Sequence, residues 1–157
     1  MAIELLENDI PKILLEDDPL LRKKSERVTD FDPIPELFEQ MKKAMYNANG
    51  IGLAAPQIGV LKQVIIVDET TEEHGQYAHC MVNPKITAAF GNDIIMEEGC
   101  LSCPDKLIEV LRNKGIRLTF QDQNGFYKKW KLDGMASRVV QHEMDHLNGI
   151  LMTDYQV

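Results

Sequence analysis

The sequence predicts an α+β fold. Antiparallel sheets pack around a central metal-binding helix at residues 134–148, with an amphipathic helix at 33–48 on the N-terminal side. Three observations predict it. Between positions 62 and 132 the chain breaks into short strand-like runs joined by short turns, and consecutive strands so joined pair antiparallel. Residues 33–48 carry apolar side chains every three or four positions. Near the end, Gln141-His142-Glu143-Met144-Asp145-His146 continues an apolar helical pattern and spells HExxH.

The 157 residues suit one domain, 1–157, large enough for a core. A net charge of −8 argues against non-specific grip on nucleic acid or an anionic membrane. No apolar run approaches the ~20 residues that span a bilayer. The first residues, Met1-Ala2-Ile3-Glu4-Leu5-Leu6-Glu7, are too acidic and short for a signal or transit peptide. Three cysteines, Cys80, Cys100 and Cys103, make an odd count unlike a disulfide framework. A monomer in a reducing, cytoplasmic compartment is expected.

Taken in order, residues 1–31 read as an irregular lead-in, broken by Pro11 and Pro19. Asp32-Pro33 reads as N-cap and first helical position. Ile34, Leu37, Phe38, Met41, Ala44, Met45 and Ala48 then form one helix face, ending at Asn49-Gly50. The stretch 50–59 is rich in small residues around one polar side chain, Gln57. It fits a tight helix-to-strand connection, or a substrate wall with Gln57 as hydrogen-bond donor. Strands are expected at 64–67, 80–86, 93–96, 107–111, 115–121 and 126–132. Residues 70–79 read as a polar loop with His74 and His79 facing solvent. Asn124-Gly125 signals a two-residue hairpin turn. Asp133 is the expected N-cap of the last helix, and Asn148-Gly149 its stop.

On that helix His142 and His146 lie one turn apart, about 6 Å along the axis, on one face. Two imidazoles so placed can hold one metal ion, and Glu143 can reach a metal-bound water as general base. The bland reading is a buried pair bonded to backbone carbonyls. A catalytic site needs a third ligand and one open position. Cys100-x-x-Cys103 offers several readings: half of a zinc knuckle, a redox pair, or a closed Cys₂His₂ site. Cys100 alone could also serve, with Cys103 a small buried apolar residue.

Three segments together resemble the peptide deformylase family. Gly50 to Gln57 matches G-x-G-L-A-A-x-Q, Glu98 to Ser102 matches E-G-C-x-S, and Gln141 to His146 matches Q-H-E-x-D-H. The order and spacing also fit, over nearly the whole chain. The resemblance implies Cys100, His142 and His146 as ligands of one divalent ion. The family prefers Fe²⁺, and Zn²⁺, Ni²⁺ or Co²⁺ can occupy the site; a thiolate with two imidazoles suits any of them. It implies N-formyl-methionyl peptides of new proteins as substrate, with formate released. Glu143 would move the proton, while the Gln57 amide and the Leu101 backbone N–H would hold the oxyanion. The backbone of Gly50, Ile51 and Gly52 would pair with the peptide. Ile51, Met96, Met135 and Val139 would line the methionine pocket, with Glu98 framing it. Asp145 would brace the site through Arg112 or Arg138.

Many bacterial members continue past the Asp154-Tyr155 position with a ribosome-docking helix, which puts docking by that route in doubt here. A chain pared down this way suits a compact genome such as a phage's. Two other readings remain: a small HExxH zinc peptidase, and a non-catalytic homologue that binds formyl-peptides or metal.

Overall fold

The structure is a computed structural model that describes residues 9–69 and 71–155. Its frame is one antiparallel sheet in chain order: β1 (Gly52–Ala54), β2 (Val64–Asp68), β3 (Ala78–Cys100), β4 (Cys103–Gln121) and β5 (Tyr127–Asp133). Two α-helices cover it, α1 (Ile34–Asn47) and α2 (Met135–Leu147). Strand β2 explains the layering. All of Val64, Ile65, Ile66 and Val67 are buried, as expected of a strand covered on both faces. Val64 and Ile66 pack with Phe38, Met41 and Met45 of α1. Ile65 and Val67 pack with Val139, Val140 and Leu147 of α2. Among the described residues no helix is long and apolar enough to cross a membrane.

Several expected elements take a different form. The strands expected at 80–86 and 93–96 are one 23-residue strand, and those at 107–111 and 115–121 are one 19-residue strand. Register shifts at Ile86/Ala88 and Phe90/Asp93 carry the β3–β4 pairing across the polar gap. There Phe90 lies over Gly115, where an added Cβ would meet the ring at 2.1 Å. The 124–125 turn is longer than two residues. Gly125 N–H donates to the Asp122 carbonyl, and Gly125 has φ 90°, a type I turn followed by a bulge glycine. His79 lies on β3 and not in the loop. Its ring bonds Glu69 and meets Trp130 edge-on, at 4.8 Å between centroids.

Neither expected aspartate caps its helix. Asp32 donates its N–H to Asp30, and Pro33 takes the N-cap position of α1 with no side-chain bond. Asp133 stays in the ladder opposite Gly115. The chain turns into α2 at Gly134, at φ 66° and ψ −132°, a conformation that favours glycine. The expected stop at Gly149 holds, with φ 72°. There the chain end is pressed against the lead-in: a Cβ on Gly149 would lie 2.4 Å from the Arg22 carbonyl oxygen. Ser25 N–H donates to the Leu147 carbonyl, and the Arg22 guanidinium donates to Asp154 at 2.6 Å.

Candidate active site

Helical spacing on α2 brings the His142 and His146 rings to 5.3 Å between centroids. The β3–β4 hairpin tip brings Cys100 to them, its Sγ 3.4 Å from His146 Nε2. One donor atom from each of the three lies within 4.8 Å of the others. All three residues are buried. A thiol and two imidazoles in that arrangement fit a divalent ion bound by soft and borderline donors. Their protonation agrees. Burial drives the His146 imidazole down to about 3, leaving it neutral and able to donate a lone pair. The Cys103 hydrogen bond, and then burial, hold the Cys100 thiol up. An incoming cation would take the thiolate and release its proton.

Glu98 is the hub behind this set. It accepts from Arg112 Nε at 2.7 Å and Nη2 at 2.9 Å, from Arg138 Nη1 at 2.6 Å, and from His142 Nδ1 at 2.8 Å. Burial pushes its carboxyl up, but the Arg112 and His142 hydrogen bonds overcome this and hold it at about 2. An ionised Glu98 obliges His142 Nδ1 to carry the proton, which leaves Nε2 free for an ion. Arg112 also reaches Asp145 at 2.8 Å, so of the two arginines expected to partner Asp145 it is Arg112. Arg138 turns instead to Glu98 and to the Val110 carbonyl. Asp145 in turn accepts from the Tyr155 hydroxyl at 2.8 Å.

Glu143 stands on the other side of the histidines. Its Oε1 is 3.9 Å from His142 Nε2, and its Oε2 has no hydrogen-bond partner among the described residues. Burial raises its carboxyl to about 7, against the pull of the His142 and Arg112 charges. It lines a cavity of about 640 Å³ together with Gln57, Cys100, Leu101 and His142. Gly50, Ile51, Gly52, Glu98, Met135 and Val139 border the same space. Met96 does not. It lies on the outer part of β3 opposite Val110, 41% exposed, so the expectation that it lines the pocket is corrected.

The small residues of the first motif have a steric cause. A Cβ on Gly52 would sit 2.8 Å from Val139 and 3.0 Å from Glu143 Oε1, so only glycine lets β1 run against α2 here. Gln57 is fully enclosed. Its Oε1 accepts from Ala54 N–H and its Nε2 donates to Ser102 Oγ, both at 3.0 Å, with Cys100 Sγ 3.7 Å away. Ser102 and the Glu98–His142 bond are the parts the motif reading missed. Two-residue strand periodicity was the available signal for Glu98, since it puts Glu98 and Cys100 on one side of β3.

A family model for polypeptide deformylase matches residues 10–157. The chain belongs to the peptide deformylase family. A peptide deformylase of Prochlorococcus marinus (strain AS9601) is 45% identical over 139 residues, 87% of this chain and 69% of the relative. Among solved structures, a probable peptide deformylase from Synechococcus phage S-SSM7 is 60% identical with a TM-score of 0.89. It covers 92% of this chain and 98% of its own. A Met-Ala-Ser-bound deformylase from Acinetobacter baumannii is 30% identical with a TM-score of 0.86, over 94% of this chain and 98% of its own. Deformylases are hydrolases, so the family is one of enzymes.

Proposed function

We propose that residues 1–157 act as one catalytic domain that removes the N-formyl group from the formyl-methionine of new proteins and releases formate. The observation that carries this is Glu143, a buried carboxyl whose Oε2 has no partner among the described residues and which lines one cavity with Cys100 and His142 of the Cys100–His142–His146 donor set. We assign one divalent ion to that set, Fe²⁺ first, with Zn²⁺, Ni²⁺ or Co²⁺ as substitutes. When bound, the ion lowers the pKa of a water and polarises the formyl oxygen.

The protein groups supply the rest. Glu143, titrating at about 7, takes the water's proton and delivers it to the leaving amine. The Gln57 N–H that faces Cys100 Sγ in this structure turns to the oxyanion, and the Leu101 backbone N–H donates to it too. The edge of β1 binds the peptide backbone. The Ile51 carbonyl is already taken by Asp68 N–H, so Gly52 turns its N–H and C=O to the open edge. Ile51, Met135 and Val139 receive the methionine side chain, and Glu98 closes the polar end. Every donor comes from one chain, so a monomer suffices. The work belongs in the bacterial cytosol, where formylated chains arise.

The test is formate release from formyl-Met-Ala-Ser by protein loaded anaerobically with Fe²⁺, beside Zn²⁺-loaded and metal-free protein. Metal-dependent release is expected. No release from fully loaded protein would overturn the reading in favour of a non-catalytic formyl-peptide binder.

A further inference from the structure

The reaction proposed above uses Cys100 and leaves Cys103 without a part. Cys103 is not a further donor, because the clustered ligand atoms are those of Cys100, His142 and His146. It sits directly opposite Cys100 in the ladder, with Leu101 and Ser102 as the turn between them. Residues directly opposite in an antiparallel pair have Cα atoms ~4.5–5.5 Å apart, inside the ~4.4–6.8 Å window of a disulfide. The two side chains share one buried cluster with Ile108, Val110 and Met152. Cys80 is packed elsewhere, in the core beneath α1. Access is unequal: Cys100 lines the open cavity and is 9% exposed, while Cys103 is 2% exposed. A small oxidant therefore meets Cys100 first.

We infer that Cys103 is a resolving thiol for Cys100, closing a reversible disulfide across the hairpin tip when hydrogen peroxide oxidises the site. The inference rests on reading Cys100 as a metal ligand. In the first step the Cys100 sulfur forms an S–O bond as the peroxide O–O bond breaks, giving a sulfenic acid and one water. In the second, Cys103 Sγ attacks that sulfur. The S–S bond forms, the S–O bond breaks, and the departing hydroxide leaves with the Cys103 proton as a second water. Two electrons pass from the two thiols to one peroxide. A disulfide sulfur no longer offers a thiolate, so the ion is lost. A thiol reductant restores the ligand. Without Cys103 the sulfenic acid proceeds to the sulfinic and sulfonic acids, which such a reductant does not reverse.

The test treats Zn²⁺-loaded protein with hydrogen peroxide. Intact mass, alkylatable thiols and released Zn²⁺ are read before and after dithiothreitol. The expected result is a mass lower by two hydrogens, loss of the Cys100 and Cys103 thiols with Cys80 retained, and Zn²⁺ release that dithiothreitol reverses. Cys103→Ser and Cys103→Ala should instead gain two or three oxygens at Cys100, irreversibly. Oxygen adducts on Cys100 of the unmodified chain with Cys103 still free would overturn the inference, and so would a bond to Cys80 or full reversibility in both variants. If the variants do not fold, the mass and alkylation pattern of the unmodified chain decides alone. None of these readouts is formate release, so a failed deformylase assay and a failed disulfide are separate results.

Discussion

Glu98 and Glu143 are both buried, both beside His142, and chemically identical. Their surroundings separate them. Glu98 accepts from two arginines and a histidine and titrates at about 2. Glu143 has one oxygen without a partner and titrates at about 7. The difference is hydrogen-bond supply, since burial pushes both carboxyls up. A saturated carboxylate is a fixed charge that orients its neighbours. A starved one can exchange a proton near neutrality, which is how one fold divides structural from reactive roles.

Four experiments would break or sharpen that contrast. Glu143→Gln should lower formate release about 10³-fold, the scale of a lost general base, while metal content stays unchanged by elemental analysis. A loss below tenfold would remove Glu143 from proton transfer. Glu98→Ala strands the Arg112 and Arg138 charges in the interior. Urea unfolding should show a loss of about 3–5 kcal/mol, and competition with a chelator should show ~10–100-fold weaker metal binding.

In metal-free protein the two carboxyls should bend stability with pH in opposite directions. The folded Glu143 pKa is raised from 4.5 to about 7, so its contribution is full below about 4.5 and is lost as pH rises through about 7. That of Glu98, lowered to about 2, is present above about 4.5 and is lost as pH falls through about 2. Glu143→Gln should therefore flatten the decline between about pH 5 and 7.5 by on the order of 2–3 kcal/mol, at ~1.4 kcal/mol per pKa unit. An unchanged slope in urea titrations would refute this. The smallest effect is at the rim. Tyr155→Phe removes only the hydroxyl bond to Asp145 and should cost about 1 kcal/mol in thermal unfolding.

What the sequence discloses about this site follows the range of each signal. His142, Glu143 and His146 are legible because helical spacing is local. Gln57 and Cys100 stand out as polar or reactive residues among small ones, but their partners lie across the sheet. Glu98's bonds to Arg112 and Arg138 depend on a β3–β4 register that passes through bulges, and no local pattern encodes it. The same bulges hide the length of the strands. Much of the outer part of β3 is exposed, so apolar alternation stops there while the backbone ladder continues. Met96 was misplaced for that reason. The start of α2 shows the limit of composition rules. Asp133 is a good cap by type, but Gly134 alone supplies the backbone angles of the corner.

The Arg22–Gly149 contact joins positions 127 apart. Closing so large a loop adds only slowly to the entropy cost, but it sets an order in time. The contact cannot exist until residue 149 has been synthesised, and α2, which packs on Ile65, Val67, Met81 and Ile116, cannot dock before residues 135–147 are made. A growing chain that has completed α1 and the sheet still shows bare apolar surface and lacks two of its three donor residues. The apolar face of the sheet is thus covered, and the donor set assembled, by a helix that follows every strand in the chain.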